Sequence, residues 1–439
     1  MQNKFEEYRK KYPEFIYRDY ELEKEEGMYT VRYFFEIPGL CEFTPKWSFP
    51  FEREVDEEVL RALVFQLGMV ESISYWKAAC PPKLSVKCGA LTKEQANFWK
   101  NLYFHGLGEF LFVNGIEVNP EEFISIEAAS GQVSVLKDVL PAGGSLVPVG
   151  GGKDSVVSLD LLKDEDVVAY CINPSETMRN VIAKSNARLT YGAKRILDAR
   201  LLELNKQGFL NGHTPFSAIV AFSTVIAAYL TGKQYIVLSN ENSANESTVL
   251  NSTVNHQYSK SYEFEQDFNA YLRSVVDTEI FYFSFLRPLT EMQISYLFSK
   301  AKQYHDVFRS CNVGSKKGIW CCDCAKCLFV YIILSPFLSD EELVGIFGEN
   351  LLSKESLAEI FKELAGIKEN KPFECVGTRR EVVSALYAFA GQGRSSLLTD
   401  RYLNELQAEI TVEEMLKEMC TEHSVPEAFM QKLIRSLPW

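Results

Sequence analysis

The chain has 439 residues, a length that predicts about two or three domains, and its 46% of apolar residues exclude a largely disordered protein. Its 59 Asp and Glu residues outnumber 46 Lys and Arg, and the net charge of −13 argues against a nucleic-acid partner, which needs a basic surface. Eleven cysteines, with no apolar signal-peptide run near Met1, indicate a reducing cytoplasm rather than a disulfide framework.

Residues 1–137 are expected to form a small α+β domain that binds the substrate. Residues 29–37 are rich in β-branched and aromatic side chains, and 47–51 is a candidate partner strand. From Asp56 onward, apolar residues recur every three or four positions, which predicts an amphipathic helix. Thr92, with a glutamine three residues later, has the spacing of a capping box at the start of another helix.

Residues 138–337 are expected to form a second domain in which short strands and helices alternate. The expected elements are strands at 146–149, 167–172 and 235–238, and helices over 155–162 and from Ser175. This alternation predicts an α/β fold with a mostly parallel sheet. The apolar run 216–230 is shorter than the roughly 20 residues of a membrane span, so a buried helix is expected there. Residues 338–439 are expected to form a helical region without strands.

A glycine-rich loop between the first strand of the second domain and its first helix is the sharpest motif. It consists of Gly150, Gly151, Gly152, Lys153, Asp154 and Ser155. Glycines remove Cβ atoms from the path of an oxyanion, and the backbone N–H groups at a helix start attract one. The lysine adds a cation, the serine a hydroxyl and Asp154 a ligand for Mg²⁺. The alternative is a flexible turn between a strand and a helix.

Polar residues follow two other predicted strands. Ile172 and Asn173 end one strand, and Ser239, Asn240 and Glu241 follow the next. Ligands of open α/β sheets bind at the carboxyl ends of strands. These five residues are therefore expected to contact the ligand of the glycine-rich loop. The alternative is simple turn capping, since Asn and Ser favour turns.

Four cysteines have the spacing of a metal site: Cys311, Cys321, Cys324 and Cys327. Four thiolates complete a tetrahedron and leave no open position, which favours a structural Zn²⁺. Cys322 is an extra thiol, and the spacing does not decide between it and its neighbour. An iron–sulfur cluster, or buried or redox cysteines without metal, are the alternatives.

The glycine-rich loop resembles the S-G-G-x-D-S pyrophosphate loop of the PP-loop ATP pyrophosphatases, with Gly150 in place of the usual serine. That resemblance implies ATP cleavage between the α- and β-phosphates. With ATP as the ligand, Ile172 and Asn173 would contact adenine. Ser239, Asn240 and Glu241 would contact ribose, Mg²⁺ or substrate. Some enzymes of this superfamily, such as the deazaguanine synthases, carry a similar four-cysteine zinc site.

Segments along nearly the whole chain further resemble the MurL family of UDP-muramoyl dipeptide epimerases. They are SYWKAACPP from Ser74, GLGEF from Gly106, PVGGGKDS from Pro148, LSNENSANE from Leu238, WCCDCAKC from Trp320 and KPFECVG from Lys371. The family pattern has glycine where Cys322 stands and arginine where Leu328 stands, which leaves the occupancy of the metal site open.

The resemblance implies inversion of the terminal L-glutamate of UDP-MurNAc-L-Ala-L-Glu to D-glutamate in peptidoglycan synthesis. ATP and Mg²⁺ would activate the glutamate as an acyl-adenylate, releasing pyrophosphate and then AMP, with Lys153 stabilising the leaving pyrophosphate. Cys375 is the first candidate for the base that removes the α-proton, and Lys77 and Cys80 are candidates for the opposite face or for gripping the substrate. The alternative is that both cysteines are buried apolar residues and the lysine is solvated.

Other functions remain alternatives at this stage. An amide or nitrile ligase would use the same adenylate, with ammonia replacing water. A tRNA-thiolating enzyme would need RNA, which the charge disfavours. A non-enzymatic module would bind ATP or a cell-wall nucleotide without turnover. No membrane association is expected, and the sequence leaves open whether the chain is a monomer or a homodimer.

Overall fold

The computed structural model describes residues 1–131, 133–139, 143–242, 258–369, 372, 374 and 376–438. These residues form two compact units. Of these described residues, those within 1–146, 191–236 and 258–282 belong to the first, and those within 147–190, 237–242 and 283–438 belong to the second. The three-part division at 137 and 337 stays a prediction.

Both units contain β-structure, which confirms a mixed α/β protein. In chain order the strands are β1 (Glu14–Glu25), β2 (Met28–Ile37), β3 (Cys41–Phe43), β4 (Lys46–Pro50), β5 (Lys83–Val86), β6 (Ser125–Ala128), β7 (Leu136–Val139), β8 (Ser145–Pro148), β9 (Val167–Ile172), β10 (Leu189–Ile196), β11 (Tyr235–Leu238), β12 (Val276–Thr278) and β13 (Phe281–Ser284). The strands expected at 29–37, 47–51, 146–149, 167–172 and 235–238 are confirmed as β2, β4, β8, β9 and β11.

The helices include every one expected from the apolar periodicity. In chain order they are α1 (Gln2–Lys11), α2 (Glu57–Trp76), α3 (Lys93–Gly106), α4 (Gly108–Val113), α5 (Pro120–Phe123), α6 (Lys153–Leu161), α7 (Glu176–Lys184), α8 (Ala199–Lys206), α9 (Phe216–Thr231), α10 (Tyr262–Val275), α11 (Glu291–Lys300), α12 (Ala325–Leu334), α13 (Asp340–Phe347), α14 (Ala358–Ala365), α15 (Arg379–Gly391), α16 (Leu397–Tyr402), α17 (Val412–Met415) and α18 (Glu427–Ser436).

Helix capping explains several of these boundaries. Asp56 caps α2, and Thr92 and Gln95 form the expected reciprocal capping box of α3. The helix expected from Ser175 is confirmed as α7, and Ser175 is its N-cap. The apolar run at 216–230 is confirmed as the buried helix α9. Within the described residues no helix combines the length and apolarity that a membrane crossing needs.

The core of the first unit lies between a sheet and α2. Strand β2 buries every second residue, and it pairs antiparallel with β1, β3 and β4. A Cβ at Gly68 of α2 would stand 2.1 Å from the Tyr17 hydroxyl oxygen and 2.7 Å from a Tyr33 ring carbon. Glycine therefore lets α2 lie directly on the aromatic face of this sheet.

Parallel pairing dominates elsewhere. Strands β1 and β5, β5 and β6, and β8 and β11 pair in parallel, whereas β10 pairs antiparallel with β4. The Val149 amide, just after β8, donates to the Tyr170 carbonyl of β9 at 2.8 Å. The segments that follow β8 and β9 therefore lie side by side in the second unit. From residue 337 onward the described residues form helices without strands, as expected.

Candidate functional site

The predicted phosphate loop lies between β8 and α6. At two of its three glycines a larger residue would clash with a neighbouring side chain. Gly151 has a φ of +82°, and a Cβ there would stand 2.9 Å from the Thr177 methyl group. A Cβ at Gly152 would stand 2.9 Å from the Ser310 hydroxyl oxygen. A Cβ at Gly150 would meet no described atom within 4 Å. The loop is thus packed on one side and has room at its first glycine, where an anion can approach.

Hydrogen bonds fix the backbone of this loop. The Lys153 amide donates to the Ser310 hydroxyl oxygen at 3.1 Å, and the Arg309 amide donates to the Gly151 carbonyl at 2.9 Å. The Ser155 hydroxyl, expected to face phosphate, donates to the Gly152 carbonyl at 3.0 Å. Its oxygen lone pairs still leave it an acceptor, but its proton is used within the loop.

The Lys153 ammonium lies in a buried cluster of carboxyl groups. Its Nζ is 2.7 Å from Glu291 Oε2 and also contacts the Asp154 carboxylate. Lys153 is 1% exposed and Glu291 2% exposed. The Glu291 amide donates to Glu381 Oε1 at 2.7 Å, while Glu381 Oε2 accepts from the Thr378 amide and hydroxyl. One network therefore joins the loop to the first turns of α11 and α15.

Burial and charge shift the pKa values in this cluster. Burial alone would lower the pKa of Lys153, but the carboxylates of Asp154 and Glu291 outweigh it, so the pKa is raised. Burial raises the pKa of Glu291; the ammonium of Lys153 opposes this shift, and the carboxylates of Asp154 and Glu241 add to it. The arrangement supplies a permanent cation beside the loop, with one neighbouring carboxyl group held towards its protonated form.

The other predicted nucleotide contacts follow the neighbouring strands. Ile172 ends β9 half-buried, and the exposed Asn173 after it has a φ of +48°. The Ser239 hydroxyl lies 2.7 Å from that of Ser158 in α6, so the end of β11 contacts the helix that follows the loop. The Asn240 side chain donates to the Ser284 hydroxyl at 3.0 Å.

Glu241, the last of the predicted contacts, is 6% exposed, and its carbonyl accepts a hydrogen bond from the Arg287 guanidinium at 3.1 Å. Together with Ser239 and Asn240 it forms a polar segment directly after β11. This segment is held by bonds to α6 and to the end of β13.

Four cysteines converge to form a candidate metal centre. The sulfurs of Cys311, Cys321, Cys324 and Cys327 all lie within 4.8 Å of one another, with 3.7 Å between Cys321 and Cys327 and 3.5 Å between Cys324 and Cys327. A tetrahedral Zn²⁺ with sulfur ligands at about 2.3 Å needs sulfurs about 3.8 Å apart. The donor set fits this ion. Cys322 points instead to the Phe347 carbonyl, at 3.2 Å.

Lys77, in the first unit, is buried rather than solvated, with 6% exposure. Its Nζ donates to the Thr214 hydroxyl at 2.7 Å and contacts the Gly212 carbonyl. Burial, helped by the nearby Arg195 cation, lowers the pKa of Lys77 to about 8. Such an amine can change protonation near neutral pH. Cys80 is fully buried, and burial raises the pKa of its thiol, which disfavours a thiolate there.

The predicted base Cys375 lies outside the described residues, whereas its neighbour Glu374 accepts a hydrogen bond from the Lys326 amide at 2.8 Å. Glu291, Glu381 and Ser310 were missed by the sequence analysis. The only local signal for Glu291 is the capping box of Thr290 and Gln293 around it, which marks a helix start and says nothing of a lysine.

The contrast between the glycines gives a direct test. Gly151→Ala is expected to cost about 1–3 kcal/mol of unfolding free energy, because it adds left-handed strain and a clash with Thr177. Gly150→Ala is expected to stay within about 0.5 kcal/mol of the parent protein. Urea denaturation of the two purified variants checks this, and equal losses would contradict the packing described for the loop.

Two family models match the chain. The MurL N-terminal domain matches residues 6–285, and the MurL C-terminal domain matches residues 307–419. Together they include the loop with Lys153, as well as Ser310 and the four cysteines, whereas Glu291 lies between the two matched ranges. No solved structure matches the chain.

Curated relatives agree with these matches. A protein of Xanthomonas oryzae pv. oryzae is 32% identical over 434 residues, covering 94% of this chain and 95% of the relative. Relatives from a Micromonospora species and from Salinispora tropica are 36% and 35% identical, covering 74% and 73% of this chain and 74% and 71% of their own length. All three are named UDP-N-acetyl-alpha-D-muramoyl-L-alanyl-L-glutamate epimerase.

Proposed function

Because this chain belongs to the MurL family, we propose that it epimerises the terminal L-glutamate of UDP-MurNAc-L-Ala-L-Glu to D-glutamate, with consumption of ATP. The observation that carries the proposal is the 94% coverage of this chain by a relative with that name. The phosphate loop with its buried Lys153 supports the use of ATP. The reaction suits the cytoplasmic location that the cysteine usage predicts, and it would serve peptidoglycan synthesis.

The chemical reason for ATP lies in the acidity of the glutamate α-proton. Removing this proton beside an ionised carboxylate would place a second negative charge next to the first. In the proposed reaction the α-carboxylate attacks the α-phosphorus of ATP, and pyrophosphate leaves. The resulting acyl-adenylate is uncharged at the carbonyl, so the enolate that follows deprotonation is delocalised. Reprotonation on the opposite face and hydrolysis by water then give the D-glutamate product and AMP.

The loop residues are proposed to act on the phosphates. The loop leads into the N-terminus of α6, whose N-cap is Gly152, and a helix N-terminus favours an anion. The Lys153 ammonium is fixed by Glu291 beside this position and would stabilise the charge that develops on departing pyrophosphate. Superfamily membership in the PP-loop pyrophosphatases is part of this proposal.

Metal ions have two proposed places. Mg²⁺ would neutralise phosphate charge, and Asp154, whose side chain is 29% exposed, is its candidate ligand beside the loop. The four-cysteine centre would hold a structural Zn²⁺ without an open coordination position.

Ile172 and Asn173 are proposed to contact the adenine, since they lie at the carboxyl end of β9, the strand beside the loop. Ser239, Asn240 and Glu241 are proposed to contact ribose, Mg²⁺ or the substrate. Cys375 remains the candidate α-proton base. Lys77 remains a candidate for the opposite face or for holding a substrate carboxylate or phosphate, and its pKa of about 8 suits a group that exchanges protons.

Proton NMR in D₂O tests the function, with the purified protein, ATP, Mg²⁺ and UDP-MurNAc-L-Ala-L-Glu. We expect loss of the glutamate α-proton signal, release of AMP and pyrophosphate in the phosphorus spectrum, and D-glutamate after hydrolysis. AMP release without deuterium at the α-carbon would favour an adenylating ligase instead. If neither compound changes, the epimerase proposal fails. A matched sample without ATP is expected to keep its α-proton.

A further inference from the structure

Three consecutive residues connect the phosphate loop to the four-cysteine centre within the second unit. The Arg309 amide donates to the Gly151 carbonyl at 2.9 Å, and the Ser310 hydroxyl oxygen accepts from the Lys153 amide at 3.1 Å. The next residue, Cys311, is one of the four sulfur ligands and is 1% exposed. No flexible linker separates the loop contacts from this ligand.

A second connection reaches the loop through Thr177. The Thr177 methyl group packs where a Cβ of Gly151 would stand, and the Thr177 hydroxyl donates to the Ser315 carbonyl at 3.0 Å. Ser315 lies in the segment between Cys311 and Cys321. The Arg309 guanidinium also donates to the Gly318 carbonyl of this segment, at 2.9 Å. The segment 311–321 therefore braces the loop through two routes.

This bracing segment has little regular structure of its own. A single 3₁₀ turn, Ser315–Lys317, is its only helical piece among the described residues. Two of its backbone amides donate to the Cys311 sulfur: that of Gly314 at 3.0 Å and that of Cys321 at 3.5 Å. Backbone N–H groups that donate to a ligand sulfur fix its orientation towards the metal position.

We propose that the four-cysteine centre binds Zn²⁺ to fix the shape of the phosphate loop, with Ser310 and Thr177 as the positioning residues that transmit its effect. A bound Zn²⁺ supplies the folding energy that a short irregular segment lacks. The link between the metal and the loop does not depend on the proposed function. The identity of the loop's ligand as a nucleotide does.

Hydrogen exchange of the loop tests the proposal directly. The exchange is measured by mass spectrometry of peptides that cover residues 150–155. The full chain is compared in its zinc-loaded form, after removal of the metal by a chelator, and after refilling. We expect exchange at the loop to speed up at least about tenfold on metal removal, because the supporting contacts of Ser310 and Thr177 are lost. Exchange should recover when the metal is restored. An unchanged loop in a metal-free protein overturns the proposal.

Ser310→Ala keeps the proposal testable even if the metal-free chain unfolds. We expect this variant to bind the metal fully, and its cobalt-substituted form to keep the absorption of tetrahedral thiolate coordination. Loop exchange should nevertheless speed up about fivefold, as for the loss of one hydrogen bond. Ser185→Ala is the matched control, because the half-buried Ser185 hydroxyl likewise accepts from a backbone amide, that of Ala187, at 3.3 Å. Equal loop exchange in the two variants would overturn the role of Ser310.

Binding of a non-hydrolysable ATP analogue separates this inference from the proposed function. We expect its Kd to rise about fivefold in Ser310→Ala and to stay within twofold in Ser185→Ala. If the loaded protein binds no nucleotide, the proposed function fails, while the exchange data still decide the link between metal and loop. If the nucleotide binds equally well to all three proteins and loop exchange is unchanged, the link itself fails.

Discussion

Lys153→Met is expected to lower the rate of AMP formation by at least about two orders of magnitude, the loss that follows removal of one preorganised charge-stabilising group. Methionine retains the length and apolar stem of lysine but removes the ammonium that contacts Asp154 and Glu291. The measurement is single-turnover release of AMP and pyrophosphate at saturating ATP. Lys163→Met is the control, because the side chain of Lys163 is 53% exposed.

The same change is expected to lower the free energy of unfolding, because the Glu291 carboxyl group, which is only 2% exposed, loses its cation. Breaking a buried pair in this way costs about 3–5 kcal/mol. The raised pKa of Glu291 limits the loss, since the carboxyl group can take up a proton. The double variant K153M/E291Q should recover most of the stability without recovering turnover. Recovery of turnover in the double variant would contradict the role of the ammonium.

Arg195→Met is expected to destabilise the first unit by about 3–5 kcal/mol, measured by urea denaturation. Arg195 Nε and Nη2 donate to the Glu71 carboxylate at 2.8 and 3.0 Å. Glu71 is fully buried and also accepts from the Trp47 indole at 3.0 Å. Removing the guanidinium therefore leaves a buried carboxylate with one neutral donor from Trp47 and no counter-charge from Arg195.

A second substitution separates lost charge from lost packing. Glu71→Gln combined with Arg195→Met should recover about half or more of the lost stability, because the amide still accepts from Trp47 and carries no charge. Arg188→Met is the control, since its guanidinium pairs with Asp166 at 2.9 Å while its side chain is 62% exposed. That surface pair is expected to contribute less than about 1 kcal/mol. Equal losses in Arg188→Met and Arg195→Met would contradict this account.

The parts of the fold that the sequence predicted are those set by neighbouring residues. The alternation in 29–37, the periodicity after Asp56 and the capping box at Thr92 depend on spacings of two to four residues. The four cysteines also lie within 17 residues of chain, from Cys311 to Cys327. Their convergence could be expected from their spacing. The spacing did not predict that the sulfur of Cys321, and not that of Cys322, lies with the other three.

The contacts that support the loop could not be predicted from such patterns. Lys153 and Glu291 are 138 residues apart in the chain, and Lys153 and Ser310 are 157 apart. A lysine in a glycine-rich loop is consistent with many partners, and a glutamate in the first turn of a helix is usually explained by the helix dipole. The tertiary fold alone selects Glu291 from among the 59 acidic residues.

The carboxylate of Glu381 serves two helices at once, and this sharing has a dynamic consequence. One oxygen caps α15 at Thr378, and the other holds the first amide of α11 at Glu291. When the first turn of α15 frays, the start of α11 loses its acceptor in the same event. The amide protons of Thr378 and Glu291 should then exchange with a common rate and a common response to denaturant, as members of one cooperative unit. Glu291, the buried partner of Lys153, is therefore only as rigid as the N-terminus of α15, where Glu381 lies 90 residues further along the chain.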